Sequence, residues 1–265
     1  MRRNIILITI VAFMGGLIAC SGQKSDPDKY REGWTLVWED DFNSKTGLTD
    51  WSKIPRGKQL MDRYMSDNEA LYHVEDGYLV LRGVKNISEN AEIPFLTGGI
   101  TRQGTKKNGV NRIEVRARMN PVGEVVPFIS LLPSDGSENI AIDIMKRFGY
   151  DEFFYQSVTS HYTTTEGMTD NPPSNALVIV SPSRFHTYGV ETYPDSIVFF
   201  VDNKRTKTYP RISTDISGQF PFNELDLDLS IGIRMNNDPE PSELPVEMYV
   251  DWVRYYQPER ADVAK

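Results

Sequence analysis

One cysteine and three histidines in 265 residues leave little from which to build disulfide or metal chemistry. Cys20 stands alone, so no intramolecular disulfide can form. His73, His161 and His186 are scattered, without the close spacing that metal ligands need. Basic residues are outnumbered 29 to 37, for a formal net charge of −8, and none of them cluster densely enough to follow a phosphate backbone. Nucleic acid is therefore not an expected partner. Only four tryptophans occur (Trp34, Trp38, Trp51 and Trp252), and the long middle of the chain has none. No stretch holds a 3.6-residue apolar period over several turns, and no segment repeats, which argues against a helical bundle or a repeat array.

At the start of the chain an apolar run, Ile5 to Ile18, follows Arg2 and Arg3. It is short for a membrane span and fits the core of a signal peptide. It leads into "LIAC", which resembles a bacterial lipobox. Residues 1–19 would then be removed, and Cys20 would become the lipid-modified first residue, anchoring the protein to a membrane. The other reading is a plain secretory signal with an incidental cysteine. Ser21 argues against retention in the inner membrane, so the expectation is an exported lipoprotein of the outer membrane. Residues 20–32 read as a flexible polar tether, 33–258 as one folded domain and 259–265 as a tail.

The folded part carries strand signals. "NRIEVRARM" alternates Ile113, Val115, Ala117 and Met119 with Arg112, Glu114, Arg116 and Arg118, the period of two of a half-buried strand. "GYLVLRGV" is a short strand-like run bounded by glycine. "SIVFFVDNKRTKTY" reads as two strands about a turn at Asp202-Asn203, and "VEMYVDWVRYYQ" as a closing strand. Many short strands with Pro and Gly between them predict an all-β protein, an antiparallel β-sandwich of jelly-roll (concanavalin A-like) type.

Several segments, in order, resemble glycoside hydrolase family 16, the β-jelly-roll enzymes that cleave β-glucans and related galactans. They are "GWTLVWEDDFN", "YMSDNEALYHVEDGYLVLRGV", "TGGITRQGTKKNGVNRIEVRARM", "RFHTYGVETYPDSIVFFVDNKRTKTY" and "LPVEMYVDWVRYYQ". The resemblance runs from about Gly33 to Gln257. It implies a catalytic strand with the pattern Glu-x-Asp-x-x-Glu: a nucleophile, a tuning Asp and an acid/base. In such a strand, alternation and a one-residue bulge bring all three onto one face. Retaining hydrolysis needs two carboxyl groups roughly 5–5.5 Å apart.

In this chain the six positions read Ala141, Ile142, Asp143, Ile144, Met145 and Lys146. A methyl group stands at the nucleophile position and an ammonium at the acid/base position, so no catalytic pair is intact. Asp143 is displaced from the nucleophile position by about 6–7 Å of strand. Glu138 and Glu152 lie outside the strand core. Where relatives carry "WPAxWxLP", this chain has "VPFISLLP" at residues 126–133, with Val126 and Ser130 in place of the tryptophans. Thr192 likewise stands where many relatives carry Trp.

Other features of a glycan cleft persist. By the resemblance, Arg63, Tyr64, Asp67, Asn68 and Glu69 fall where relatives contact sugars. Tyr155, Gln156, His161 and Tyr162 follow the catalytic strand. The family also implies a possible structural calcium, with Asp251 matching one ligand; no cofactor is required. The expectation is a lipid-anchored protein that binds a polysaccharide or oligosaccharide of the β-glucan or galactan class without hydrolysing it. The alternatives are a weak or rewired hydrolase, and a structural or partner-binding subunit with a vestigial cleft.

Overall fold

The computed structural model describes residues 29–43, 48–57, 62–88, 92–106, 109–120, 122–165, 171–213, 216–236 and 243–259. The expected signal peptide, Cys20, most of the tether and nearly all of the tail lie outside these residues. Among those described, no helix is long and apolar enough to cross a membrane.

Two antiparallel sheets pack face to face, as the alternation predicts. The larger contains β1 (Trp34–Asp40), β3 (Tyr72–Glu75), β4 (Tyr78–Lys85), β5 (Phe95–Thr97), β7 (Asn111–Met119), β12 (His186–Thr192), β13 (Ser196–Val201), β14 (Lys204–Pro210) and β16 (Val246–Pro258). The smaller has seven strands in the order β11-β10-β9-β8-β15-β6-β2. These are β2 (Ser52–Lys53), β6 (Gly99–Lys106), β8 (Val125–Pro133), β9 (Ala141–Lys146), β10 (Phe154–Thr159), β11 (Asn175–Val178) and β15 (Leu227–Met235).

The turns follow from residues that accept positive φ. Asp202 and Asn203 (φ 49° and 62°) link β13 to β14, and Asp76 and Gly77 (φ 52° and 78°) link β3 to β4. Both are two-residue hairpins whose twist matches that of the strands they join. Ile113, Val115, Ala117 and Met119 of β7 meet Ile129, Leu131, Ile142, Ile144, Leu229 and Ile231 of the smaller sheet in one core. Burying such side chains contributes roughly 1.5–3 kcal/mol each.

The other face of β7 departs from the half-buried expectation. Arg112 and Glu114 are buried rather than solvated. Arg31, from the segment before β1, reaches across and donates to both oxygens of Glu114 at 2.8 and 2.9 Å. Arg112 donates to Glu114 and Glu191, and Tyr193 donates to Glu191 at 2.8 Å. These buried charges are paired, as burial requires.

Candidate functional site

The face of the seven-stranded sheet turned away from the core is fixed by strand register. On β9, Ile142, Ile144 and Met145 are fully buried in the core. Asp143 lies opposite Ser130 on β8 and Ser157 on β10, whereas Lys146 lies opposite Phe128 and Tyr155. Three residues of β9 are thus matched by two on each neighbour, which is a β-bulge at Ile144–Met145. Without it Lys146 would point inward. With it, Ala141, Asp143 and Lys146 share the outer face, as the sequence pattern implied.

Register extends the Asp143 row across the sheet as Asn175, Ser157, Asp143, Ser130, Ser230, Thr101 and Ser52. Ser130 Oγ donates to Asp143 Oδ1 at 2.7 Å, Ser157 Oγ to Oδ2 at 2.9 Å, and Lys146 Nζ to Oδ2 at 2.6 Å. Farther along, Ser230 Oγ donates to Thr101 Oγ1 at 3.1 Å. Burial pushes the Asp143 carboxyl up. The Lys146 charge and the bonds from Lys146, Ser130 and Ser157 outweigh it and hold the group below the usual carboxylate range. Both of its oxygens accept from within the protein, and the residue is buried.

The middle of this face is covered. Phe128 and Ser130 face outward yet have 0% exposure. Arg234 lies over the Phe128 ring, 4.1 Å from its centroid, and is held there by Asp62 at 2.6 Å. Phe128 occupies the alanine position of the pattern quoted above, so a large ring stands beside the site where a tryptophan is replaced by Ser130. The flanks are more open. A recess of about 350 Å³ lies beside β2, lined by Lys53, Pro55, Arg56, Met65, Ser66 and Asp67.

The sequence-predicted contacts fall on both flanks, about 24 Å apart at five strand spacings. On the β2 side Asp67, Asn68 and Glu69 are exposed. Lys53 ties them to the sheet edge by donating to the Asp67 carbonyl at 3.0 Å and Glu69 at 2.6 Å, while Asn68 caps the short turn that follows through the Ala70 amide. Arg63 is half-buried over the Tyr64 ring, 4.5 Å from its centroid. Tyr64 itself is buried against Phe95 and Met235 and does not reach the face, contrary to the expectation.

On the β10 side, period two separates the predicted residues. Tyr155 points outward, but Gln156 points between the sheets. There its amide donates to the Ile144 and Phe200 carbonyls at 3.1 and 3.2 Å and accepts from Thr206. It is not available to a glycan. His161 is exposed in the turn after β10, and Tyr162 donates to the Asn171 carbonyl at 2.9 Å. Thr192 also departs from expectation. It shares the inner face of β12 with Tyr188 and Val190, is 1% exposed, and would not meet a sugar at the cleft.

The calcium expectation does not fit its position. The Asp251 carboxylate is paired with Arg116, so a cation there would have to displace a guanidinium. Among the described residues no three His, Cys, Asp or Glu side chains converge.

Sequence reasoning missed Ser157, Ser230 and Thr101, and also Phe148 and Phe153, whose rings pack edge to face with Tyr155 at 5.6 and 5.2 Å. Alternation along "LDLSIGIRM" and "FYQSVT" was the signal that could have located Ser230 and Ser157, and strand pairing then brings in Thr101 of "GITRQGTK".

Comparison with known proteins agrees with this architecture. The model of the glycosyl hydrolases family 16 matches residues 90–254. A keratan-sulfate endo-1,4-beta-galactosidase of Sphingobacterium multivorum is 25% identical over 84% of this chain, which spans 55% of that protein's length. A beta-glucanase of Rhodothermus marinus is 25% identical over 97% of this chain and 95% of its own. Among solved structures, the laminarinase from Rhodothermus marinus superposes with a TM-score of 0.71 at 22% identity, covering 85% of this chain and 98% of that one. A structure from work on endo-acting O-glycanases of the human gut microbiota that initiate mucin breakdown gives 0.73 at 23% identity, covering 85% and 100%. These two superpositions establish the jelly-roll sandwich fold.

Proposed function

Because the chain belongs to glycoside hydrolase family 16, we propose that it binds a polysaccharide of the β-glucan or galactan class without cleaving it. The surface is the outer face of the seven-stranded sheet. One observation carries this reading: Asp143, the only carboxylate at the three family positions on β9, already accepts hydrogen bonds from Ser130, Ser157 and Lys146. Retaining hydrolysis needs a free nucleophile and a proton donor roughly 5–5.5 Å apart. Ala141 supplies neither, and Lys146 is engaged as a cation. What remains is a sheet face with a covered middle and polar or aromatic groups exposed on its flanks, which suits sugar recognition.

The test measures binding and turnover together on laminarin, mixed-linkage β-glucan and galactans. The expected outcome is retardation in affinity gels with no release of reducing sugar above background. Sustained release by the wild type, abolished in Asp143→Asn, would overturn the proposal. The double variant Ala141→Glu with Lys146→Glu is expected to remain feeble, at least about a hundredfold below an active relative. Both carboxyls would be restored, yet Phe128 and Arg234 still cover the ground beside them, and misplaced substrate costs about that much.

A second reading, a structural or partner-binding subunit, draws on the full burial of Phe128 and Ser130. Co-purification with a membrane partner and no retardation by any glycan would favour it. We further propose that Cys20 is lipid-modified and anchors the protein in the outer membrane. Radiolabelled palmitate should enter the wild type and not Cys20→Ala.

A further inference from the structure

Lys146 carries three N–H donors, and one goes to Asp143 at 2.6 Å while the side chain stays 26% exposed. Its cross-strand neighbour is Tyr155, and the neighbour of Tyr155 on the edge strand β11 is Leu177, 56% exposed. Phe148 and Phe153 brace the Tyr155 ring. An apolar shelf and an ammonium therefore stand side by side, on the flank that Phe128 and Arg234 leave uncovered. Burial raises the pKa of the Tyr155 hydroxyl, and the Asp151 carboxylate hydrogen-bonded to it adds to the rise; Arg147 feels that charge and donates to the Asp151 main-chain carbonyl.

A neutral sugar presents hydroxyls that donate as well as accept, so a site for it needs free acceptors. Here both Asp143 oxygens already accept from within the protein and the residue is only 4% exposed, whereas the open group beside Tyr155 is a cation that only donates. The geometry points to an anionic glycan: a sugar ring rests its C–H face on Tyr155 and Leu177 and directs a sulfate or carboxylate to Lys146 Nζ. This rests on the glycan-binding reading above. Asp143 holds the ammonium in place and the pair is net neutral, so an incoming anion is held by the two remaining N–H donors rather than by excess charge. Charge-assisted hydrogen bonds of this kind are shorter and stronger than neutral ones.

Affinity gels made with keratan sulfate, with chemically desulfated keratan sulfate and with alginate test the inference on the folded protein. Wild type is expected to bind keratan sulfate or alginate at least about tenfold more tightly than the desulfated galactan, a margin corresponding to about 1.4 kcal/mol. A preference for keratan sulfate assigns sulfate; one for alginate assigns carboxylate. Lys146→Gln should erase the preference and Lys146→Arg keep it, with thermal melts verifying that each variant is folded. Leu177→Ala should weaken charged and uncharged glycans by the same factor, because it changes only the shelf. Equal binding of sulfated and desulfated polymer with none to alginate, or a folded Lys146→Gln that keeps the preference, would overturn the inference and leave glycan binding standing. No retardation of wild type on any gel would instead remove the reading on which it rests.

Discussion

Asp143 is a carboxylate taken out of water, and its three donors decide whether it stabilises the fold. Burial alone would raise its affinity for a proton, but Lys146, Ser130 and Ser157 reverse that. A group whose folded value lies below the unfolded one stabilises the protein above the unfolded value and loses that contribution as pH falls through the folded value. At pH 7, Asp143→Asn should therefore destabilise the protein, by roughly 1–3 kcal/mol as a lost buried charged hydrogen-bond set. The gap to wild type should narrow as pH drops below 3.8, the ordinary value, towards the lower folded one. Urea midpoints at pH 7 and in a series down to pH 2 measure this; a gap that stays constant would mean that the charge is not what the variant removes. The identities of Ala141, Asp143 and Lys146, and their common face, were legible from the chain. The two serine partners were not, because nothing in a single strand's pattern says what its neighbours bring. Phe128 was equally opaque: its ring belongs to an outward position that looks solvated until Arg234 is seen to cover it.

At the scale of elements, the bulge in β9 and the loop after it act as one device. Past Lys146 the chain turns away so sharply that Gly149 lies against the backbone of Val122 and Gly123. A Cβ there would fall 1.7 Å from one carbonyl oxygen and 2.0 Å from the other. Backbone cannot yield as a flexible side chain can. Gly149→Ala should therefore lower stability by roughly 2 kcal/mol or more, with the disturbance centred on β9 and the adjoining 122–125 segment. Hydrogen exchange would register this as lost protection of the Arg147 amide, which bonds to the Pro127 carbonyl at 3.2 Å. Unchanged exchange there would contradict the coupling. Strand existence and the Asp202-Asn203 hairpin were readable because their signals are local, namely period two and residues that accept positive φ. The fates of Gln156 and Tyr64 were misread for opposite reasons. Alternation already assigned Gln156 to the inner face and was overridden by its polarity. Tyr64 sits in an irregular segment where no periodicity exists to consult.

Across the whole molecule, the two outer faces of the sandwich divide charge differently. On the smaller sheet, ammonium and carboxylate meet at a partly open surface. On the larger, Glu114 is 1% exposed between Arg112 and Arg31, and Arg112 in turn bridges to Glu191 and lies over the Phe200 ring. Burial alone would push the Arg112 guanidinium down, but Glu114 and Glu191 push it up, so the network is mutually dependent. It also joins distant chain: Arg31 precedes β1, whereas Glu114 lies within β7 and Glu191 near the end of β12. Glu114→Ala would take a carboxylate from the half-buried Arg31 and from the buried Arg112, which keeps only the Glu191 carboxylate, a type of loss that costs roughly 3–5 kcal/mol. Arg31→Ala leaves Glu114 with Arg112 and should cost less, roughly 1–2 kcal/mol, while loosening the segment that leads into β1. Chemical denaturation ranks the two, and limited proteolysis should cut Arg31→Ala ahead of β1 at denaturant concentrations that leave the rest of the sandwich intact. Equal costs for both variants would show that the network does not discriminate its members. Cleavage no faster than in wild type would show that Arg31 is not what fastens the entering chain to the sheet.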